Sequence, residues 1–306
     1  MSTYRDMVLA IAGWGPLTRF ARQRGLALGA GRFVAGERLE DGIRVAHELA
    51  DAGRHAILDL LGEFVDSEEA AAAMTDGASE AIHALAGVPE PRRMSVKPTQ
   101  LGLGISTELA LTHMRRLARD AAEAKVLLCM DMEDHPRVEA TLEILETLHD
   151  EGHHHVSTVL QSYLRRTPYD LERLLARDPV PELRLVKGAY REPASVAFPV
   201  KADVDRAYRE LLERALQGGG TVHVASHDEA LLRYAQQRRD ALGVPRERTT
   251  FQLLYGVAQR LQTALVAEEE SVGIYLPFGS DWYGYFSRRL AERPANLAFV
   301  LRSLFG

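Results

Sequence analysis

From residue 55 onward, short apolar segments alternate with longer amphipathic segments, and this alternation restricts the fold more than any other feature of the sequence. The short segments are 55–61, 94–100, 125–131, 155–161, 182–188, 221–226, 249–256 and 271–278. Each has the length of a β-strand and is rich in Val, Ile, Leu or Thr. The segments between them have the three- and four-residue apolar spacing of helices. Strands that are apolar throughout are typical of parallel sheets, which are buried on both faces.

Eight successive strand–helix units over residues 55–306 predict an α/β fold, a (βα)8 barrel of the TIM type. Such barrels typically contain about 250 residues, which fits the length of this segment. A doubly wound open sheet is the alternative, although it rarely contains eight regular units. Residues 1–54 contain amphipathic segments separated by glycines, and we expect them to form an N-terminal helical arm.

The composition argues against several classes of protein. A formal net charge of −6 argues against general binding of nucleic acid. The single cysteine, Cys129, rules out an internal disulfide, fits a reducing compartment and is expected to be a buried, unreactive thiol because its neighbours are apolar. No apolar segment approaches the roughly 18 residues of a membrane-spanning helix. We therefore expect a cytoplasmic protein, and peripheral contact with the inner face of a membrane stays open.

Polar residues recur at the end of each predicted strand, where the active site of such a barrel lies. These residues are Glu63, Lys97, Gln100, Asp131, Glu133, Gln161, Arg165, Arg184, Lys187, Ser226, His227, Gln252, Tyr255 and Tyr275. Polar groups are costly to bury unpaired, so we expect one shared polar site. Simpler roles stay open for three of these residues. Ser226 begins a capping-box pattern, Asp131 could be a purely structural ion-pair partner of Lys97, and the Lys187 side chain could extend to solvent. Thr167, before Pro168, is likewise expected to cap a helix.

The segment 274–292 ends in a predicted helix that carries Tyr285, Arg288 and Arg289. Helical spacing places the tyrosine and both arginines close together on the helix surface. Each guanidinium is a rigid fork that matches a carboxylate, and aromatic rings can cover the apolar part of a small ligand. This arrangement favours a carboxylate-binding site, and a solvated arginine pair on an amphipathic helix is the alternative.

Three consecutive histidines, His153, His154 and His155, raise the question of a metal site. They precede the fourth strand and therefore fall at the opposite end of the barrel from the predicted active site. The sequence has no CxxC, HExxH or P-loop motif. We therefore expect a surface loop there and predict no metal site.

Nine segments carry a resemblance to a known family. They are DLLGEFV (59–65), SVKPTQLGL (95–103), MDMED (130–134), QSYLRRT (161–167), RLVKGAYREP (184–193), VASHD (224–228), FQLLYG (251–256), IYLPFG (274–279) and YFSRRLAERPAN (285–296). In these segments the chain closely resembles proline dehydrogenase of the monofunctional bacterial type, in the right order and spacing over residues 55–306. RLVKGAY and RRLAERPAN are the specific segments. The aldehyde dehydrogenase half of the fused bacterial enzymes has no counterpart here.

The resemblance implies a distorted (βα)8 barrel that binds FAD noncovalently, with the last helix lying over the barrel mouth. The implied reaction is oxidation of L-proline to Δ1-pyrroline-5-carboxylate, the first step of proline catabolism. Hydride would pass to the flavin, and electrons would then pass to a quinone or a similar acceptor. Hydride transfer needs no nucleophile, which agrees with a sequence that shows neither a catalytic triad nor a metal cage.

The resemblance also implies roles for individual residues. Arg288 and Arg289 would bind the proline carboxylate together with Lys97, which Asp131 would hold by an ion pair. Arg184 would lie near the flavin N5. The residues expected to wall the proline ring are Leu254, Tyr275 and Tyr285, and the pair expected to form a gate is Glu63 with Arg288. The other flavin-binding candidates are Gln161, Val186, Gly188, Ala189, Ser226, His227, Gln252 and Glu292.

The chain departs from the family pattern at a few positions without losing a catalytic group. Pro98 stands where an apolar non-proline residue is expected, Ser226 replaces a common threonine, and Arg166 and Gly284 are atypical. Two other functions stay open. A Schiff-base aldolase on the same barrel would use Lys97 or Lys187 as its nucleophile. A non-catalytic binding module is the other, and substrate-dependent bleaching of a flavin would exclude it.

Overall fold

The computed structural model describes residues 30–62, 65–285 and 287. Within them, eight parallel strands close into a barrel in chain order, from β1 to β8 and back to β1. The strands are β1 His55–Leu60, β2 Arg92–Val96, β3 Val126–Met130, β4 Val156–Gln161, β5 Leu183–Val186, β6 Val222–Ala225, β7 Thr249–Leu254 and β8 Ser271–Phe278. The predicted (βα)8 barrel is therefore confirmed. The predicted residues Glu63, Arg288, Arg289 and Glu292 lie outside the described residues, as do residues 1–29 of the predicted arm.

Helices follow the strands in the expected alternation. They are α1 Leu39–Asp51, α2 Glu68–Leu85, α3 Thr107–Ala124, α4 Val138–Asp150, α5 Thr167–Leu175, α6 Lys201–Gln217, α7 Glu229–Ala241 and α8 Gln259–Ala267. Helix α1 precedes the barrel and packs against β1 and β8. Residues 282–285, shortly after β8, are also helical. No helix among the described residues is long and apolar enough to cross a membrane.

Two predicted helix caps are wrong, because the side chains bind elsewhere. Helix α5 begins at Thr167 with Arg166 as its N-cap, and the Thr167 hydroxyl donates to the Gln161 carbonyl oxygen at 2.6 Å. Asp228 is the N-cap of α7, and Ser226 Oγ accepts from the Asp228 N–H at 3.1 Å. Both hydroxyls therefore fix the turns after their strands.

The second predicted strand is displaced toward the N-terminus. β2 ends at Val96, whereas the sequence suggested a strand over 94–100. A turn follows at once, in which the Gln100 and Leu101 N–H groups donate to the carbonyl oxygens of Lys97 and Pro98. Because a proline has no N–H to donate to a ladder, the strand stops before Pro98. Lys97 is thereby placed just beyond the strand, at the barrel mouth.

The apolar core lies between the strands and the surrounding helices, and the barrel interior is polar. Leu58, Met94 and Leu128 are fully buried in that core. Contacts across the barrel, such as Arg93 with His223, join polar side chains of opposite strands. Strands that appear apolar in the sequence thus carry buried polar residues on the inward face. Cys129 is buried and burial raises its pKa, which confirms the buried thiol.

A cluster of titratable groups lies at the N-terminal end of the barrel interior. Arg93 NH1 contacts Glu182 Oε2 at 2.9 Å and His223 Nε2 at 3.2 Å, and His223 Nε2 also lies 2.9 Å from Glu182. Burial, assisted by Arg93 and His223, lowers the pKa of His55 to about 3. Burial also lowers the pKa of His223 to about 4. Both imidazoles are therefore neutral in the folded protein near neutral pH.

We expect the protein to lose stability as the pH falls below the usual histidine pKa of 6.5. A histidine with a lowered pKa binds fewer protons folded than unfolded, so acid favours unfolding between 6.5 and its folded pKa. At about pH 5 the deficit is about 2 kcal/mol for each such histidine. His55→Gln should remove its share, as measured by urea unfolding at about pH 7 and about pH 5. His47→Gln, on the exposed side of α1, is the control, and an unchanged pH dependence in His55→Gln would contradict the assignment.

The chain segment before α1 lies against the ends of β7 and β8, at the rim of the barrel, and we call residues 32–37 the N-terminal strap. The Ala35 N–H donates to the Pro277 carbonyl oxygen at 2.8 Å, and the Gly279 N–H donates to that of Gly36 at 3.0 Å. Arg32 Nε donates to the Gly256 carbonyl oxygen at 3.2 Å. The strap is therefore fixed to the ends of β7 and β8, beside the candidate site.

Candidate active site

Lys97 lies at the centre of a buried polar network at the C-terminal end of the barrel. Its Nζ is 2.9 Å from Asp59 Oδ1, donates to the Tyr275 hydroxyl at 3.3 Å, and lies 3.6 Å from Asp131 Oδ2. Only 9% of Lys97 and 1% of Asp59 is exposed. The sequence suggested Asp131 as the ion-pair partner of Lys97, and the structure places Asp59 closer.

Asp59 is the site residue that the sequence analysis missed. It faces Ser95 of β2 and Pro277 of β8 in the strand register, and burial, opposed by Lys97, raises its pKa to about 6. The sequence analysis took Glu63 as the polar residue of the first strand. The available signal was the aspartate in HAILDL, since a buried carboxylate in an apolar strand requires a partner.

Asp131 joins the remaining members of the network. The Tyr275 hydroxyl donates to Asp131 Oδ2 at 2.5 Å, and Arg184 NH1 donates to Oδ1 at 2.6 Å. Burial, together with Asp131 and Asp59, raises the pKa of Tyr275 well above its ordinary value. Tyr275 is therefore a neutral hydrogen-bond donor, and Asp131 orients both the phenol and the guanidinium.

Arg184 spans the barrel interior beneath this network. Its Nε donates to Gln252 Oε1 at 2.6 Å, and its NH2 donates to Ser95 Oγ at 3.0 Å. Its guanidinium carbon lies 5.5 Å from the centre of the Tyr275 ring, close enough for a cation–π contact. With Lys97, it balances the charges of the two aspartates, so the buried network is neutral as a whole.

Polar residues at the ends of β2 to β4 hold the loops around this network. Glu133 accepts from the Thr99 N–H at 2.9 Å and from its hydroxyl at 2.6 Å. Gln161 Nε2 donates to the Glu133 carbonyl oxygen at 2.8 Å. Gln100 Oε1 accepts from the Lys97 N–H at 3.1 Å. These residues fix the backbone that carries Lys97.

The flavin-binding candidates within the described residues lie on the adjacent arc of the barrel, within β4, β5 and β7 or in the turns after β5 and β6. These candidates are Gln161, Arg184, Val186, Gly188, Ala189, Ser226, His227 and Gln252. The Leu254 N–H donates to His227 Nε2 at 3.0 Å. Gly188 has φ +106°, and a Cβ there would lie 2.1 Å from the Tyr163 ring. The backbone at this loop therefore requires glycine.

Gln252 and Arg184 lie where the charged network meets this arc. Gln252 Nε2 is buried, and it has no hydrogen-bond partner within the part of the chain that the structure describes. A buried amide donor without a partner costs free energy, so a ligand with a hydrogen-bond acceptor is expected there. This buried donor suits a ring that carries carbonyl or imine acceptors.

Lys187 differs from Lys97, because its Nζ lies away from this network. It is 2.7 Å from Asp205 Oδ1 and 2.8 Å from Asp228 Oδ2, after β5. Lys97 therefore belongs to the candidate site, whereas Lys187 belongs to a separate group of ion pairs with Asp205 and Asp228.

Two residues predicted to wall a ligand lie at the rim. Leu254 ends β7 and is half-buried. Tyr285 lies in the helical segment 282–285, in an apolar cluster with Phe33, Val34, Leu61 and Trp282. Tyr285 is thus packed in one cluster with residues of the N-terminal strap and with Leu61, which follows β1.

Comparisons of the sequence and of the structure with known proteins identify the same group of relatives. The family described as proline dehydrogenase matches residues 43–302. A proline dehydrogenase of Deinococcus radiodurans is 43% identical over 305 residues, which are 98% of this chain and 97% of that protein. Proline dehydrogenase 2 of Bacillus subtilis (strain 168) is 38% identical over 300 residues, which are 98% of each chain. Proline utilization A from Bdellovibrio bacteriovorus, inactivated by N-propargylglycine, superposes with a TM-score of 0.81 at 24% identity, covering 90% of this chain and 34% of that one.

Proposed function

Because the chain belongs to the proline dehydrogenase family, we infer that it catalyses the oxidation of L-proline, the first step of proline catabolism. The observation that carries this function in the structure is the buried network of Lys97, Asp59, Asp131 and Arg184 beneath Tyr275. We propose that this network is the floor of the proline site. The proposed product is Δ1-pyrroline-5-carboxylate.

The family implies a flavin, and we propose that it is FAD, bound noncovalently. Gln252 Nε2, a buried donor without a partner among the described residues, and the glycine required at Gly188 support a flavin on the arc from β4 to β7. Arg184, Ser226 and His227 would hold it there, with Gln161, Val186, Ala189 and Glu292 as further candidates. When bound, the flavin accepts a hydride from the proline ring. A cation such as Arg184 favours negative charge that develops nearby.

Lys97 is proposed to bind the proline carboxylate, together with Arg288 and Arg289. Asp59 and Tyr275 fix its ammonium group at 2.9 and 3.3 Å, so the charge is oriented before substrate arrives. Tyr275, Leu254 and Tyr285 would cover the apolar ring and exclude water from the reacting carbon.

The two other functions are less well supported. A Schiff-base nucleophile must be a neutral amine, whereas Lys97 and Lys187 each lie within 2.9 Å of a carboxylate. A non-catalytic binding module does not explain why Lys97 and Arg184 are held in fixed orientations by buried carboxylates. We propose a quinone-type electron acceptor, with peripheral contact at the inner face of a membrane, on the family resemblance alone.

The test of this function is a spectral titration. The purified protein is expected to carry FAD that bleaches when L-proline is added without oxygen, and the colour should return when a quinone analogue is added. D-proline is the matched control. A protein that stays colourless after reconstitution with excess FAD would contradict the cofactor. A bound flavin that L-proline does not reduce would contradict the reaction.

Glu63 and Arg288 are proposed to form a gate across the mouth. Strands β1 and β8 are neighbours, so residues that follow them can meet above the barrel. A lid of this kind would exclude water from the hydride path. Glu63→Ala is then expected to slow flavin reduction at saturating L-proline, as measured by stopped flow, with little change in thermal stability. Glu68→Ala, at the first turn of α2, is a control. Normal flavin reduction in Glu63→Ala would contradict the gate. The pair of Glu63 and Arg288 would then be a static surface ion pair that contributes about 0–1 kcal/mol.

A further inference from the structure

The N-terminal strap contacts the helical segment that carries Tyr285. Trp282 Nε1 donates to Glu37 Oε1 at 2.9 Å. Phe33 and Val34 pack with Trp282 and Tyr285 in an apolar cluster that is separate from the main core. Trp282 is 1% exposed and Val34 is fully buried, so the contact is close. The strap and the segment 282–285 therefore form one packed unit.

The strap has a fixed position on the barrel rim. Its backbone hydrogen bonds join Ala35 to Pro277 and Gly36 to Gly279, at the end of β8. At the end of β7, a Cβ on Gly256 would lie 1.8 Å from the Arg32 carbonyl oxygen, so the strap passes in direct contact with the backbone. Gly256 also has φ +72°, which favours glycine. Because the strap is fixed to the rim and packs against Tyr285, it can hold Tyr285 in a defined position relative to the barrel.

We propose that the strap is a positioning element for Tyr285 and thereby sets the affinity for proline, an inference that rests on the proposed role of Tyr285 as a cover of the ring. The strap fixes a residue that covers the ligand, and the groups beneath the ring belong to the barrel. A loosened strap should therefore weaken proline binding more than it slows hydride transfer from bound proline.

The test uses the FAD-loaded enzyme in anaerobic stopped flow, where flavin reduction over a range of L-proline concentrations gives the Kd and the limiting rate. Glu37→Ala removes the acceptor of the Trp282 N–H and is expected to raise the Kd about threefold or more, with the limiting rate within about twofold. Glu37→Gln should restore binding, since its carbonyl oxygen still accepts. Phe33→Ala leaves a cavity and should raise the Kd about tenfold or more. Glu40→Ala, an exposed glutamate at the start of α1, is the matched control.

The outcomes separate this inference from the site proposal. A lower melting temperature with an unchanged Kd in Glu37→Ala and Phe33→Ala would make the strap a purely structural element and overturn the inference. If Phe33→Ala does not fold, Trp282→Phe, which removes the donor of the same hydrogen bond, replaces it. Tyr285→Ala is measured alongside. If the Kd for L-proline rises in Tyr285→Ala and is unchanged in the strap variants, the strap inference alone is overturned. An unchanged Kd in Tyr285→Ala overturns the covering role as well.

Discussion

Lys97→Met is expected to lower kcat/KM for L-proline by at least about thirtyfold while FAD stays bound. Removing one partner of a desolvated charge pair costs about 2 kcal/mol or more, which is about a thirtyfold change. Methionine has nearly the volume of lysine and is one atom shorter, so the loss reports chiefly on the charge. Steady-state kinetics with L-proline and the flavin spectrum measure the two expectations. Lys125→Met, at the exposed opposite end of the barrel, is the matched control.

The same variant tests whether Asp59 is the partner of Lys97. Lys97→Met leaves a buried carboxylate unpaired, which costs about 3–5 kcal/mol of stability. Asp59→Asn in that background should restore much of the stability, since the unpaired charge is gone. Asp59→Asn alone should lower activity, because Lys97 loses its nearest carboxylate. Additive effects of the two substitutions on the melting temperature would mean that the side chains do not interact.

Arg289→Met is expected to weaken proline binding by about tenfold or more, since a hydrogen bond between charged groups contributes about 1.5–3 kcal/mol. Arg289→Lys should restore binding only in part, because an ammonium cannot bind both carboxylate oxygens in one plane. The Kd comes from anaerobic flavin reduction, as above. Arg116→Met, on the outer surface of α3, is the control for the loss of one positive charge.

A ligand series decides whether Arg289 recognises the carboxylate. An uncharged amide of proline should bind about equally to Arg289→Met and to the parent protein. An equal loss of affinity for proline and for its amide would contradict carboxylate recognition and favour a general disturbance of the last helix.

The architecture could be predicted from the sequence because it depends on periodicity. Alternating strand-length and helical segments specify a closed barrel almost without regard to which apolar residue stands where. The same insensitivity hid Asp59, since an inward-facing aspartate has the same spacing as an inward-facing isoleucine such as Ile57. Only closure of the barrel, which brings β1 beside β2 and β8, shows that it faces Lys97 and Tyr275.

Hydrogen-bond partners were the least predictable part of the site. Asp131 was expected to hold Lys97, and it instead makes its shortest contacts with Tyr275 and Arg184. Those residues are 144 and 53 positions away in the chain, so local sequence carries no signal for the pairing. Ser226 and Thr167 had the local sequence pattern of helix caps. In the structure their hydroxyls instead form hydrogen bonds with the Asp228 N–H and the Gln161 carbonyl oxygen.

The contact between Glu37 and Trp282 joins residues that are 245 positions apart, and it bears on how the chain folds. The pairing of β1 with β8 spans a similar separation, so the barrel cannot close on the ribosome until its last strand has emerged. Contacts of such long range carry the largest loop-closure cost and form late. The mouth of the barrel should therefore acquire its structure last, and substitutions in the strap should accelerate unfolding more than they slow folding.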